Sequence, residues 1–143
     1  MLIIEDEKSL QEAYETRLVK DGYEVEVASD GLEGLQKAES AKPDIIILDI
    51  LLPKLNGLEF LKRLQPKTNL PDTKILAFSV MESAELIRSL VSLGVVKYMV
   101  KAKGDKEVAV LDDELNRLGV NKYLIKYQVT PTELSEEIKG VLA

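Results

Sequence analysis

Acidic side chains follow two of the apolar segments that the sequence offers as strands. Glu5 and Asp6 come directly after the apolar residues 1–4, and Asp49 follows four consecutive aliphatic residues. Because ligands of a parallel sheet gather outside the carboxyl ends of its strands, we expect these carboxylates to crowd together. Such a cluster raises its own pKa values unless a cation neutralises it, and all-oxygen ligation suits a hard ion. The pattern therefore predicts a site for Mg²⁺ or Mn²⁺.

Further strand ends carry residues that could act on a phosphoryl group. A carboxylate beside a metal ion can attack phosphorus, while a lysine balances the charge of the transferred oxygens and a hydroxyl donates to one of them. The chain offers Ser79 near the end of a fourth apolar run, and Lys101 and Lys126 at the ends of two later runs. Each residue alone has a simpler interpretation: solvated acids for Glu5 and Asp6, a loop-starting cap for Asp49, a strand-end hydroxyl for Ser79 and surface charge for either lysine. Their joint arrangement favours phosphoryl transfer.

Composition narrows the class of protein. The chain has 143 residues, which fits one domain of roughly 100–200 residues. It contains neither cysteine nor histidine, which excludes disulfides, thiolate or imidazole metal sites and a phosphohistidine of its own. The net charge of −6 argues against direct nucleic-acid binding, and no apolar run is long enough to span a membrane. We expect a cytoplasmic protein without membrane insertion.

Short apolar runs alternate with amphipathic stretches, which is typical of a parallel α/β sheet. The second predicted strand looks half exposed and suits an edge, whereas the third is aliphatic throughout and suits the centre. The first predicted helix, over residues 9–20, has Leu10, Ala13, Tyr14 and Leu18 as its core face. The pattern predicts six strands and six helices in one domain, residues 1–143. The strands are placed at 1–4, 25–27, 45–49, 74–80, 95–101 and 120–126.

An internal repeat occupies the second half of the chain. LGVVKYMVK at residues 93–101 recurs as LGVNKYLIK at 118–126, with six of nine positions identical and an offset of 25. The preceding helices match too, so the helix-strand unit 84–101 is repeated at 109–126. Because consecutive parallel strands usually lie side by side, the second copy should add a sixth strand at the sheet edge.

Four segments resemble, in order, the receiver domain of response regulators: LIIEDE, PDIIILDILLPKLNG, KILAFSV and LGVVKYMVK. The resemblance implies a flavodoxin-like, doubly wound parallel sheet of order 2-1-3-4-5, here with the extra duplicated helix-strand unit at its edge. It implies that Asp49 is the phosphoacceptor, Asp6 a direct metal ligand, Glu5 an acid that binds the metal through water, and Leu51 the donor of a backbone carbonyl.

The same resemblance implies a switch. Ser79 stands at the position of the switch hydroxyl, and both Tyr98 and Tyr123 stand where the switch aromatic belongs, three residues before a lysine. Two features depart from the pattern: the family usually has proline after the lysine, whereas Ala102 and Tyr127 follow here, and the family has five strands.

The implied function is signalling. A sensor histidine kinase or a histidine phosphotransfer protein would phosphorylate Asp49 in a Mg²⁺-dependent reaction, and the face of helix 4 and strand 5 would change to signal to a downstream protein. We expect no enzymatic turnover beyond the protein's own phosphotransfer and dephosphorylation. The sequence fits a single-domain regulator or a piece of a longer chain, and it leaves room for a homodimer.

Two other functions fit parts of the sequence. A phosphatase with an aspartate nucleophile would have a second acid two residues after that aspartate. This chain has Leu51 there, which argues against turnover of outside substrates. A protein-interaction module on a receiver scaffold, independent of phosphorylation, remains the second reading.

The choice of lysine is also open. Lys101 lies 22 residues after Ser79 and 52 after Asp49, as one intervening helix requires. The sequence that follows Lys126, residues 130–134, instead resembles the start of the family's last helix. We expect Lys101 to serve the site, with Lys126 as the alternative.

Overall fold

The computed structural model describes residues 1–50, 52, 54–55, 57–64, 73–80, 88–89, 92, 95–101, 123–126 and 129–143. For residues 58, 79–80, 95–101 and 123–126 it describes the backbone and not the side chains. In the described part, no helix is long and apolar enough to cross a membrane.

In the described part of the chain, six parallel strands form one sheet, and their order is β2-β1-β3-β4-β5-β6. The predicted order and the sixth strand at the edge are therefore confirmed. The aliphatic third strand lies inside the sheet and is buried up to its final residue, and the half-exposed second strand is an edge. The strands are β1 (Leu2–Ile4), β2 (Glu26–Ala28), β3 (Ile45–Asp49), β4 (Lys74–Val80), β5 (Val95–Lys101) and β6 (Tyr123–Lys126).

Four helices are described: α1 (Lys8–Lys20), α2 (Gly31–Ala41), α3 (Gly57–Leu64) and a C-terminal helix (Pro131–Leu142). Two N-terminal caps explain where helices begin. The Asp30 side chain accepts from the Glu33 amide at 2.8 Å, and Thr130 and Glu133 form a capping box. The helices expected over residues 83–93 and from residue 105 onward fall almost entirely outside the described residues.

Helices cover both faces of the sheet. On one face, α1 and the C-terminal helix share a buried cluster with alternate residues of β1, β3 and β4. On the other face α2 contacts β1, β2 and α3. Gly34 of α2 lies so close to β1 that an added Cβ would stand 2.6 Å from Cδ1 of Ile4. The sheet is therefore doubly wound, as expected.

The expected core face of α1 is partly wrong. Gln11, Tyr14 and Leu18 are its buried residues, Leu10 is half-buried, and Ala13 is exposed. Residues at i, i+3 and i+7 share one face of a helix, so Gln11 belongs with Tyr14 and Leu18 by geometry. A polar side chain is buried there because carbonyl groups at the strand ends accept its hydrogen bonds. Ala13 carries little apolar surface, and its exposure costs little.

Tyr14 links α1 to the residues that precede the C-terminal helix. Its hydroxyl donates to the carbonyl oxygen of Val129 at 2.9 Å, and its ring meets that of Phe78 edge-on, with centroids 5.8 Å apart. Burial raises the pKa of the Tyr14 hydroxyl above its usual range, and the negative charges of Glu5 and Asp49 raise it further. Tyr14 therefore stays a neutral hydrogen-bond donor beneath the acidic end of the sheet.

Candidate functional site

Three acids meet at the carboxyl end of the sheet. Glu5 and Asp6 follow β1, Asp49 ends β3, and these two strands are neighbours that pair Ile4 with Leu48. One carboxylate oxygen from each acid lies within 4.8 Å of the other two. Glu5 is buried, Asp49 is half-buried and Asp6 is exposed. The structure thus brings together the acids that the sequence placed at two strand ends, in a cluster that opens to solvent through Asp6.

The end of β1 is fixed by hydrogen bonds to its surroundings. The Glu5 amide donates to the carbonyl oxygen of Ala28 at 3.0 Å, which closes the pair of Ile4 with Ala28 at the end of the ladder between β1 and β2. The side-chain amide of Gln11 donates to the carbonyl oxygen of Glu5, also at 3.0 Å. The Glu7 amide donates to Oε1 of Glu5 at 3.1 Å and so orients that carboxylate. Glu5 is therefore held through both its backbone and its side chain.

Lys54 and Leu55, which follow β3 in the chain, contact the start of α2. Lys54 Nζ lies 3.2 Å from Oδ2 of Asp30, the residue that caps α2. Gly31 packs against the backbone of Leu55, since a Cβ at Gly31 would stand 2.0 Å from the Leu55 carbonyl oxygen. Lys54 itself adopts a left-handed backbone with φ of 64°, which is uncommon outside glycine. An ion pair and a close backbone contact thus fix this segment against α2.

Electrostatics favour that ion pair. The hydrogen bond from the Glu33 amide lowers the pKa of the Asp30 carboxyl, and Lys54 lowers it further. Asp30 therefore stays ionised at neutral pH and keeps its interaction with Lys54. Leu51, expected to lend a backbone carbonyl to a metal, lies outside the described residues.

For the remaining predicted site residues, the structure describes only the backbone. Ser79 in β4 pairs with Val100 in β5, and Lys101 at the end of β5 pairs with Val80. Lys126 pairs with Lys101 across β5 and β6. Lys101 is therefore two strands from β3, which carries Asp49, and Lys126 is three strands away.

The two candidate switch tyrosines are also neighbours. Tyr98 in β5 pairs with Tyr123 in β6. The side chains of both tyrosines, of both lysines and of Ser79 lie outside the part that the structure describes.

Sequence reasoning did not single out Gln11, Gly31 or Lys54 as parts of the site. For Gln11 a signal existed, because it stands three residues before Tyr14 and seven before Leu18. For the contacts of Gly31 and Lys54, spacing along the chain holds no signal, since they depend on how the start of α2 packs against Lys54 and Leu55.

The acidic cluster fits a divalent cation. Its three carboxylates offer hard oxygen donors close to one another, and the chain contains no histidine or cysteine that would favour a softer metal. This donor set suits Mg²⁺ and Mn²⁺.

Comparison with known proteins identifies the family. Residues 1–111 match the family described as "Response regulator receiver domain". The Bacillus subtilis protein "Alkaline phosphatase synthesis transcriptional regulatory protein PhoP" is 40% identical over 109 residues, which cover 76% of this chain and 44% of that protein. A Methanospirillum hungatei "Protein-glutamate methylesterase/protein-glutamine glutaminase 1" is 39% identical over 103 residues, covering 72% and 30%. This chain thus spans less than half the length of these two relatives.

Solved structures of CheY-like proteins resemble this chain in fold. The chemotaxis protein CheY4 of Vibrio cholerae matches with a TM-score of 0.65 at 30% identity, over 80% of this chain and 95% of that one. A CheY-like receiver domain protein of Methanospirillum hungatei has the same TM-score at 26% identity, over 81% and 95%. The family inferred from the sequence motifs is therefore confirmed, and this chain belongs to the response-regulator receiver domains.

Proposed function

We propose that this receiver domain accepts a phosphoryl group on Asp49 from a sensor histidine kinase or a histidine phosphotransfer protein. The observation that carries the proposal is the convergence of Glu5, Asp6 and Asp49, each of which has one carboxylate oxygen within 4.8 Å of those of the other two. Receiver domains bind Mg²⁺ in such an acidic pocket. The exposed side of the cluster gives a phosphorylated histidine of the partner a route to Asp49.

In this proposal Glu5, Asp6, Asp49 and the backbone carbonyl of Leu51 would hold Mg²⁺ or Mn²⁺. The bound ion would supply positive charge that neutralises the transferred oxygens. Half-buried Asp49, the last residue of a buried strand, directs its carboxylate toward the incoming phosphorus. An oxygen of Asp49 forms the new bond to phosphorus as the bond to the partner's histidine nitrogen breaks.

Two further residues would bind the phosphoryl group. The Ser79 hydroxyl would donate to one oxygen, and the ammonium group of Lys101 would balance the charge of another. The strand order supports Lys101, because β5 pairs with β4 whereas β6 pairs with β5. Lys126 is the alternative.

The whole chain, residues 1–143, is proposed to act as one receiver domain with a duplicated helix-strand unit. The register of β5 and β6 supports duplication, since every paired position differs by 25, the offset of the repeat. We expect a cytoplasmic signalling module that acts on a downstream protein and catalyses only its own phosphotransfer and dephosphorylation.

Mass spectrometry after incubation with acetyl phosphate and Mg²⁺ tests the proposal. The wild type should gain one phosphoryl group, and Asp49→Ala should gain none. Asp44→Ala is the matched control, because Asp44 is an exposed aspartate just before the opposite end of the same strand. It should be phosphorylated like the wild type.

A phosphoryl group on Asp49→Ala would contradict Asp49 as the acceptor, and equal phosphorylation in the presence of a chelator would contradict the need for a divalent metal. A wild type that stays unphosphorylated but still binds its partner would instead support the phosphorylation-independent interaction module. Because the chain has no histidine, phosphohistidine cannot complicate the assignment.

A further inference from the structure

Gln11 is a buried polar residue next to the acidic cluster. It lies in the first turn of α1 and only 7% of its surface is exposed. Glu5, Gln11 and Ser135 are the buried polar side chains among the described residues. A buried amide needs hydrogen-bond partners, and the position of those partners shows what the amide holds.

The partners of Gln11 are at the ends of β1 and β2. Its Nε2 lies 3.0 Å from the carbonyl oxygen of Glu5, 3.2 Å from that of Ala28 and 3.3 Å from Oγ of Ser29. The pairing of β1 with β2 ends at Ile4 and Ala28, and the Glu5 amide closes that pair by donating to Ala28. The Gln11 amide therefore binds the two strands together where their ladder stops.

The carbonyl group of Glu5 belongs to the peptide that joins Glu5 to Asp6. Fixing this peptide plane fixes the direction in which both acids leave the sheet. A hydrogen bond from Gln11 to this oxygen thus acts on two of the three carboxylates in the cluster through the backbone that carries them.

We propose that Gln11 is a positioning residue for the divalent metal: its side-chain amide orients the Glu5–Asp6 peptide so that both carboxylates stay within reach of Asp49. The inference rests on the proposed metal site. Residues that orient metal ligands from outside are typically worth about 10- to 100-fold in metal affinity. Gln11 should have an effect of that order.

The test compares Gln11→Met with Leu18→Met. Both substitutions place methionine on the buried face of α1, but Leu18 lies two helical turns away from Gln11. Methionine has nearly the length of glutamine and no hydrogen-bond donor. We expect the Mg²⁺ dissociation constant, measured by calorimetric titration, to rise about 10-fold or more in Gln11→Met. Leu18→Met should stay within about twofold of the wild type, because it leaves the strand ends intact.

A second readout needs no metal. The Glu7 amide donates to Oε1 of Glu5, so its protection from hydrogen exchange reports the orientation of the Glu5 side chain. We expect faster exchange of the Glu7 amide in metal-free Gln11→Met and unchanged exchange in Leu18→Met. Wild-type Mg²⁺ affinity and Glu7 protection in Gln11→Met would overturn the role of Gln11 alone. A wild type that binds no Mg²⁺ would overturn the metal site itself.

Discussion

Lys101 and Lys126 lie opposite each other on the neighbouring parallel strands β5 and β6. Tyr98 and Tyr123 are paired in the same way, so residues 98–101 of the first copy stand beside their own repeat, residues 123–126. The second copy therefore adds one strand to the sheet edge, and the pairing of β6 with β5 matches the 25-residue offset of the repeat. Lys101 and Lys126 thus lie at the same height along their strands, and Lys126 lies one strand farther from β3.

We expect Lys101→Ala to weaken the binding of beryllofluoride, a phosphoryl mimic, much more than Lys126→Ala does. Neighbouring strands are about 4.8 Å apart, so the extra strand moves Lys126 away from Asp49 by roughly the width of a phosphoryl group. A charge-assisted hydrogen bond is worth about 1.5–3 kcal/mol, which predicts a loss of about 10- to 100-fold for Lys101→Ala. Titration of both variants measures this, and a larger loss in Lys126→Ala would reverse the assignment.

The second prediction concerns the switch. A phosphoryl group adds about −1.5 to −2 charges and three acceptor oxygens. Ser79 should turn toward this group, and Tyr98 should then move inward, which changes the face of β5 and of the helix expected over residues 83–93. NMR spectra with and without beryllofluoride should show large shifts along β5, and Ser79→Ala should reduce them.

Tyr123 provides the internal comparison for the switch, because it is paired with Tyr98 on the next strand. Replacing Tyr98 by alanine should abolish the long-range shifts, whereas replacing Tyr123 should preserve them. The opposite result would make Tyr123 the switch residue. Shifts confined to residues that touch Asp49 in the wild type would argue against this kind of switch.

Sequence periodicity was sufficient to predict the sheet. Four consecutive aliphatic residues can be buried on both faces only inside a sheet, which is why the central position of β3 could be predicted. The convergence of Asp49 with Glu5 and Asp6 followed from a second rule, that the carboxyl ends of parallel strands lie at one edge of the sheet. The repeat offset then predicted a sixth strand beyond β5.

Contacts between distant segments could not be predicted in the same way. The bond from Tyr14 to Val129 joins residues 115 positions apart, and nothing in either segment indicates the other. Gln11 was missed because helix amphipathicity treats every polar residue as a surface residue, whereas the strand ends provide carbonyl groups that can bury an amide. The two lysines remained ambiguous because duplicated sequences carry the same local signals.

Gly31 allows a test of the contact that holds the segment after Asp49. In Gly31→Ala the new Cβ would stand 2.0 Å from the Leu55 carbonyl oxygen and 2.7 Å from the Leu55 Cβ. The first is a backbone atom, so the segment must shift to relieve the overlap. We expect a loss of about 1–3 kcal/mol in the free energy of unfolding, measured in urea, together with weaker beryllofluoride binding.

Gly140→Ala is the control for this substitution. Gly140 lies in the C-terminal helix, and a Cβ there would meet no atom within 4 Å. Alanine at this position should stabilise the protein by up to about 1 kcal/mol, because glycine is a poor helix former. If Gly31→Ala were as stable as Gly140→Ala and bound beryllofluoride equally well, the contact with Leu55 would not constrain the site.

The last prediction concerns acid stability and the C-terminal helix. Asp21, at the end of α1, accepts hydrogen bonds from the buried hydroxyl of Ser135 and from Arg17, whose Nε lies 3.0 Å from Oδ2. The Ser135 hydrogen bond lowers the pKa of the Asp21 carboxyl below its usual 3.8, and Arg17 lowers it further. The folded protein therefore favours the ionised carboxylate, which connects α1 to the C-terminal helix.

A lowered pKa in the folded state stabilises the fold above the pKa of the unfolded chain, and this stabilisation is lost as the pH falls through the folded-state pKa. We therefore expect wild type and Asp21→Asn to differ in the free energy of unfolding by a constant amount above about pH 5, and by less below about pH 4. Urea unfolding at pH values above about 5 and below about 4 measures the difference. In a Ser135→Ala background, Asp21→Asn should alter the pH dependence less, because the largest cause of the lowered pKa is gone. An identical pH dependence in both backgrounds would show that Ser135 does not hold Asp21 ionised, and the link between α1 and the C-terminal helix would then depend on Arg17.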